Sequence, residues 1–124
     1  MSKQSGFTII ELVMVIVILG ILAAIAVPKF VDLQTSALNA SKRGMSGAVK
    51  SSLAIAVAEN KAFPDLTTLA TYVQGENVVA AATGISVDID GTAYIVPTYK
   101  DSSCTAGQET GNTTDVVRCV GTIP

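Results

Sequence analysis

The sequence contains no histidine and no tryptophan, and aromatic side chains make up only 5% of the chain. Histidine is the commonest general base and the commonest neutral metal ligand, so several kinds of catalytic and metal site are disfavoured. No phosphate-binding loop with a following lysine is present. Ser46 in GMSGA has neither the glycine spacing of a nucleophile elbow nor a histidine to activate it. We therefore expect no enzymatic activity, no catalytic residues, no metal site and no cofactor.

Charged side chains are also scarce. They make up 15% of the chain, and the formal net charge is −2 at pH 7. A nucleic-acid groove requires clustered lysine and arginine side chains, which this balance does not supply. We expect no nucleic-acid partner.

The sequence has only two cysteines, Cys104 and Cys119, which enclose a segment rich in Thr, Gly, Ser and Asn. Without histidine they complete a four-coordinate zinc site only if carboxylates or a second chain contribute. A disulfide is the preferred interpretation, and it implies an oxidising compartment. Closing a loop of about 15 residues stabilises a fold by about 3 kcal/mol in chain-entropy terms. Two reduced, unrelated cysteines are the alternative.

Apolar side chains are concentrated at the N-terminus, where residues 7–27 are almost uninterrupted. A helix of about 20 apolar residues spans the hydrocarbon core of a bilayer. Lys3 is the only charged side chain before it, so the positive-inside tendency leaves the N-terminus in the cytoplasm and the rest outside. A conventional secretory signal that ends near Ala23-Ala24-Ile25-Ala26 is the alternative.

Glu11 is the only charged residue within this apolar run. An acid inside a bilayer is costly, although the dipole at a helix N-terminus offsets part of that cost. The run holds no cation to pair with it, but a cut between Gly6 and Phe7 would create an α-ammonium group. We expect this ammonium to reach Glu11 of a neighbouring copy rather than its own. The acid therefore predicts self-association.

The stretch SGFTIIELVMVIVILGILAAIAVPKF resembles the class III signal and N-terminal helix of type IV pilins. The shared features are a short basic leader that ends in Gly, then Phe-Thr-x-Ile-Glu, an apolar run and a Pro near its end. In that family a prepilin peptidase cuts after the residue that matches Gly6 and N-methylates the new terminus, here Phe7. The residue that matches Glu11 is required for efficient methylation and pairs with the terminal amine of an adjacent subunit. Pseudopilins of secretion systems and minor pilins carry the same signature.

The resemblance also assigns a role to Gly20 and Pro28, which match positions between which the helix partly unwinds in assembled filaments. The residue types agree with this role, because proline removes a backbone donor and glycine is a poor helix former.

The rest of the chain predicts an α+β fold: a long N-terminal helix packed on a small antiparallel sheet, with a C-terminal loop bounded by cysteines. After Pro28, apolar residues at spacings of four and seven indicate an amphipathic helix that ends near Asn60. These residues are Leu38, Met45, Val49, Leu53 and Val57.

Beyond the long helix we expect a short helix in FPDLTTLATYVQG, then an Ala-rich connector over 76–84. Two strands in ISVDIDGTAYIVPTY should flank an Asp90-Gly91 turn. Pro97 is expected to end the second strand or to place it at an edge. Residues 116–120 are expected to form a third strand.

These elements predict four parts: a leader peptide (1–6), a transmembrane and polymerisation helix (7–28), an amphipathic helix (29–60) and a globular α+β head (61–124). The head also resembles the pilin plan, in which a cysteine-bounded region follows the sheet. The stretch from Pro28 to Asn60 is similar in style to mannose-sensitive haemagglutinin-type (MSHA-like) pilins. The loop is short and the head is small for a major adhesive pilin.

Two smaller motifs are open to a second interpretation. The DIDG stretch invites a calcium loop, but Ser86 and Pro97 would then fall where key ligands belong, so a hairpin is preferred. Asn112-Thr113-Thr114 fits an N-linked glycosylation pattern, which also occurs often by chance.

The resemblance implies a structural subunit of a type IV pilus. The precursor would lie in the bacterial inner membrane, be cut by a prepilin peptidase and be assembled by the inner-membrane pilus machinery. The product would be an extracellular, homo-oligomeric helical filament. One alternative is a pseudopilin of a type II secretion system, which a calcium requirement would favour and the cysteine pair disfavours. A second alternative is a monomeric, membrane-anchored binding module that keeps its N-terminus.

Overall fold

The structure is a computed structural model, and it describes residues 6–124. The predicted leader peptide therefore lies outside the described residues, apart from Gly6. Contacts between residues divide the chain into two compact units, one that ends at Ala37 and one that runs from Leu38 to Pro124. Each unit is described by itself. The four predicted parts of the chain remain predictions.

The chain forms two helices and a four-stranded sheet. Helix α1 runs over Ile9–Asn60 and helix α2 over Leu66–Tyr72. The strands are β1 (Val79–Ala81), β2 (Gly84–Ile89), β3 (Thr92–Tyr99) and β4 (Cys119–Val120). All neighbouring strands are antiparallel, in the order β1-β2-β3-β4. The predicted α+β class, with a long helix and a small antiparallel sheet, is confirmed.

In the first unit, α1 has no packed face. Every side chain from Ile9 to Ala37 is exposed except that of Ala26, which is half-buried. A helix that is apolar on all sides is normally covered by lipid or by other protein.

In the second unit, α1 becomes amphipathic and packs against the sheet. Val49 and Ala56 are fully buried, and Met45 and Leu53 are partly buried. The predicted apolar stripe is therefore confirmed. The core around it is built from both helices, β2, β3 and the C-terminal segment, and its fully buried side chains include Leu66, Leu69, Ile85, Val87, Val96 and Val117.

The hairpin between β2 and β3 forms as the alternating pattern predicts. Asp90 and Gly91 both have a positive φ, 54° and 75°, as a tight two-residue turn requires. The Asp88 carboxylate accepts a 2.8 Å hydrogen bond from the Gly91 N–H and closes the turn. Ile85 and Val87 face the core.

Two expectations about the sheet were wrong. Residues 76–84 are not only a connector, because Val79–Ala81 pairs with β2 as a short edge strand. Pro97 lies inside β3, between β2 and β4, and the strand continues to Tyr99. The Pro97 carbonyl accepts a 2.8 Å bond from the Gly121 N–H. Because proline has no N–H to return that bond, the ladder with β4 ends at Val120.

The predicted third strand is also shorter than expected. Only Cys119–Val120 forms β4, and Val116 makes an isolated bridge with Asp65 instead. This bridge joins the C-terminal region to the start of α2.

Candidate assembly site

The helix that carries the predicted assembly residues begins with a capping box. Thr8 precedes α1, and its backbone N–H and its hydroxyl each donate a 2.8 Å hydrogen bond to Oε2 of Glu11. The Glu11 N–H donates in return to Oγ1 of Thr8 at 3.3 Å. This reciprocal pattern is the usual way in which a Thr-x-x-Glu sequence starts a helix. The Glu11 side chain is thereby held back toward the N-terminus.

Gly6 and Phe7, the two residues at the predicted cleavage position, both precede α1 and are exposed. The Phe7 side chain is 91% exposed, and no atom lies within 4 Å of the position that a Cβ on Gly6 would occupy. The peptide bond between them is therefore accessible in the described chain. Its cleavage and the methylation of Phe7 stay predictions.

Gly20 and Pro28 both lie inside α1, which is helical on either side of each residue. A Cβ on Gly20 would meet nothing within 4 Å. Pro28 has no N–H to donate to the carbonyl one turn earlier, so one intrahelical bond is missing there. Unwinding between these residues in a filament stays a prediction.

Helix α1 is long and apolar enough to cross a membrane, and its most apolar window has no buried residue. In the part of the chain that the structure describes, no other helix meets this criterion. Residues 9–28 of α1 thus present a continuous apolar surface together with one carboxylate, at Glu11.

The two cysteines are joined by a disulfide, Cys104–Cys119, with 5.4 Å between their Cα atoms. The loop between the two cysteines is held by hydrogen bonds to two aspartates. Asp101 accepts hydrogen bonds from the hydroxyl and the N–H of Thr105, and the side-chain bond from Thr105 is the main reason that the pKa of Asp101 lies below its ordinary value of 3.8. Asp115 accepts from the backbone N–H groups of Gly111 and Asn112, which lower its pKa in the same way.

The loop is also anchored in the core. Val117 is fully buried, and its N–H donates a 2.9 Å bond to the Pro64 carbonyl. The hydroxyls of Thr98 and Thr110 form a fully buried 2.8 Å hydrogen bond between β3 and the loop. The disulfide therefore joins a segment that already has contacts of its own.

Sequence reasoning missed two residues. Thr8 is the partner of Glu11, and the Thr-x-x-Glu spacing is a signal that would have identified it. Lys42 is half-buried, donates a 2.7 Å bond to the Pro124 carbonyl and lies 4.8 Å from the Tyr94 ring centroid. No local sequence pattern indicates that contact, because it joins residues far apart in the chain.

The calcium interpretation of DIDG gains no support from the geometry. Asp88 is engaged by the Gly91 N–H, and residues 6–124 contain no group of three or more His, Cys, Asp or Glu side chains suited to hold a metal ion.

These observations define a chain of two parts: an apolar helical segment that is exposed on all sides, and an α+β head with a disulfide-bounded loop. The N-terminal part matches the family described as the prokaryotic N-terminal methylation motif, over residues 1–27.

The chain is also similar to proteins of pili and secretion systems. It is 52% identical over 62 residues to the type IV narrow pilus major component PilA5 of Thermus thermophilus, a match that covers 50% of this chain and 53% of that protein. It is 43% identical over 61 residues to the type IV major alpha-pilin of Moraxella bovis, covering 49% and 38%. It is 40% identical over 62 residues to the type II secretion system core protein G of Pseudomonas aeruginosa, covering 50% and 44%.

The matched region spans about half the length, or less, of these relatives. No solved structure matches the chain significantly. The methylation motif and the pilin relatives confirm the resemblance to the type IV pilin family. The similarity to MSHA-like pilins stays a prediction.

Proposed function

We propose that this protein is a structural subunit of a type IV pilus. The observation that carries the proposal is the methylation motif at the start of a helix whose apolar side chains are exposed on all sides from Ile9 to Ala37. Such a surface needs a bilayer or other copies of itself. The relatives named as pilus components support burial of this surface among other copies of the chain.

Assembly in this proposal exchanges one apolar environment for another. The N-terminal half of α1 lies in the inner membrane before assembly and among the same helices of neighbouring subunits afterwards. A contact that joins two different surfaces and repeats by a screw operation does not close, so the product is an open filament. The role is structural rather than enzymatic.

Glu11 and Phe7 set the register between subunits in this mechanism. Cleavage by a prepilin peptidase after Gly6 makes Phe7 the new N-terminus, which is then methylated. The Thr8 bonds both fall on Oε2 of Glu11 and point the carboxylate toward the helix start. The ammonium of a neighbouring Phe7 then pairs with that carboxylate, because a buried carboxylate without a counter-ion is strongly disfavoured.

Three further features belong to the proposal. The pilus machinery of the inner membrane extracts the subunits, the filament is extracellular, and α1 loosens between Gly20 and Pro28 in the filament. The missing bond at Pro28 supports the last point.

Two measurements on cells that express the protein test the proposal. Mass spectrometry of the native protein should show loss of residues 1–6 and gain of one methyl group on Phe7. Electron microscopy of sheared surface material should show filaments that contain the chain. A mature protein that still begins with Met1, or the absence of filaments in cells that process it, would contradict the proposal.

A pseudopilin of a type II secretion system is the second candidate, and the similarity to core protein G favours it. A pseudopilin would be cleaved and methylated in the same way, so processing does not separate the two. Loss of secreted enzymes on deletion, without loss of surface filaments, would identify the pseudopilin. A calcium-dependent thermal stability of the protein would point in the same direction.

A further inference from the structure

The surface of α1 that faces away from the sheet carries two exposed cations. Arg43, Gly47, Lys50 and Ala54 follow one another at spacings of four, three and four, so they share one face of the helix. All four are exposed, and we call them the outer face of α1. Within residues 6–124, neither Arg43 nor Lys50 has a hydrogen-bond or ion-pair partner.

Gly47 leaves the helix backbone bare between these two cations. A Cβ there would meet no atom within 4 Å, so no contact within residues 6–124 requires a glycine. Glycine in a helix interior is also less stable than alanine. The outer face therefore has a shallow gap, with a positive charge on either side, that a narrow partner can enter.

Opposite charge lies elsewhere in the same unit. Residues 38–58 of α1 contain three cations and no acid, whereas residues 61–124 contain seven acids and three cations. Most of these acids already accept a hydrogen bond from a backbone N–H nearby. These are Asp65, Asp88, Asp101 and Asp115.

Asp90, Glu76 and Glu109 are the remaining acids, and no hydrogen bond within the described chain uses their carboxylates. Asp90 is the one of the three in the two-residue turn that joins two paired strands. It lies at the exposed tip of the turn between β2 and β3, next to Gly91 and two residues after Asp88. A two-residue turn is the narrowest projection that a sheet can present. The turn Asp88–Gly91 is thus both slim and acidic.

We propose that the turn Asp88–Gly91 of a second copy of this chain docks on the outer face of α1. Asp90 would pair with Arg43 and Lys50, and the turn backbone would approach Gly47. The partner is a second copy because one chain carries both complementary surfaces. Two different surfaces that join in this way form an open array. The inference rests on the proposed filament and names a contact between its heads.

The expected strength is modest for each subunit. An exposed ion pair strengthens an association by a factor of about 1.4 to 5, and it weakens as salt screens it. Because the contact repeats along the filament, its loss should lower the filament yield and its resistance to salt.

The test reverses the charge of each surface, singly and together, and measures the filament yield. Cells would express the full-length chain with Asp90→Lys, with Arg43→Glu and Lys50→Glu together, or with all three changes. We expect the first two to lower the sheared filament fraction about tenfold, and the combined variant to recover most of the wild-type yield. Asp90→Asn is the matched control for the turn, since asparagine also accepts a positive φ; it should give an intermediate yield.

Processing, measured by mass spectrometry, should be unchanged in every variant, because Gly6 and Glu11 are untouched. A second measurement keeps all three charges: Gly47→Cys with Thr92→Cys, an exposed residue beside the turn, should give a disulfide-linked ladder in oxidised filaments, and either cysteine alone should not. Unchanged yields, no recovery in the combined variant, or filaments without the ladder would overturn the docking proposal.

The recovery step also separates a second copy from other partners. If the outer face bound an anionic lipid headgroup instead, Asp90→Lys would not change the filament yield. It would also not restore the yield of the variant with Arg43→Glu and Lys50→Glu, and the docking proposal would fail. If the wild-type chain is processed but builds no filament, the proposed function fails instead. The two failures are therefore distinct.

Discussion

Thr8 and Glu11 bind each other across the first turn of α1. The Thr8 hydroxyl and N–H each donate to one carboxylate oxygen at 2.8 Å, and the Thr8 hydroxyl oxygen accepts from the Glu11 N–H at 3.3 Å. One carboxylate thus serves two tasks: it caps the helix within the chain, and it carries the charge proposed to meet the next subunit. The two tasks can be separated, because glutamine caps a helix in the same geometry without carrying a charge.

Glu11→Ala should leave membrane insertion intact and lower the filament yield at least about tenfold, since the Phe7 ammonium would then be buried without a counter-ion. Glu11→Gln should impair assembly nearly as strongly although the cap is kept. Yield is measured as the sheared fraction relative to total membrane-extracted protein, in cells without the wild-type chain. Equal yields from Glu11→Gln and wild type would show that the charge is not needed.

Thr8→Ala should have a smaller effect than Glu11→Gln, because it removes the two hydroxyl bonds of the cap but leaves the charge. The loss of an N-terminal cap costs about 1 kcal/mol. Thr8→Ser keeps the hydroxyl and is the matched control, with a yield close to wild type. Circular dichroism of the detergent-solubilised chains would measure the helix content. A Thr8→Ala effect equal to that of Glu11→Gln would contradict this ranking and would mean that the orientation of the carboxylate matters as much as its charge.

The N-terminal part of the structure follows from local sequence. A long apolar run predicts a helix from Phe7 without knowledge of the rest of the chain, and α1 begins two residues later, at Ile9. What composition did not reveal was the partner of Glu11 within its own turn. A search for opposite charges overlooks a hydroxyl and a backbone N–H, which bind a carboxylate just as directly.

In the head, local patterns predicted the hairpin and the buried face of α1 but not β1 or the role of Pro97. The Asp90-Gly91 turn needs only a positive φ at two adjacent residues, and an Asp-Gly pair is a recognised sequence signal for this conformation. Val79–Ala81 becomes a strand only because β2 lies beside it. Pro97 is tolerated inside β3 because its neighbour β4 ends there. Both outcomes depend on contacts between distant residues, which a local pattern does not contain.

The disulfide should stabilise the head without being its only support. Replacing Cys104 and Cys119 with serine should lower the free energy of unfolding by about 3 kcal/mol, the chain entropy of a loop of this length. Urea unfolding of the detergent-solubilised chain, followed by circular dichroism, would measure it. Because Val117 and the Thr98–Thr110 pair anchor the loop independently, the variant should still fold at low urea. An unfolded variant in the absence of urea would contradict this expectation.

Gly84 should be intolerant of a side chain for a steric reason. It begins β2 opposite Pro97, and a Cβ there would collide with the backbone carbonyl oxygen of Val96. Gly84→Ala should therefore destabilise the head by about 1–3 kcal/mol, the usual cost of overpacking. Gly44→Ala is the matched control, because a Cβ on that helical glycine meets nothing within 4 Å. It should be neutral or stabilising by up to about 1 kcal/mol in the same urea experiment.

The loop between the cysteines should loosen in acid. The pKa values of Asp101 and Asp115 are both lowered in the folded chain by hydrogen bonds from the loop itself. Their contribution to stability is thus complete above the ordinary aspartate value of 3.8. It is lost as the pH falls from there through the lower folded pKa values. Amide hydrogen exchange at Thr105, Gly111 and Asn112 should accelerate over that range, beyond the intrinsic pH dependence. Asp101→Asn and Asp115→Asn should show faster exchange already at pH 7 and a weaker acid response. Protection that persists unchanged to pH 2 would show that the disulfide and the core contacts hold the loop without the two carboxylates.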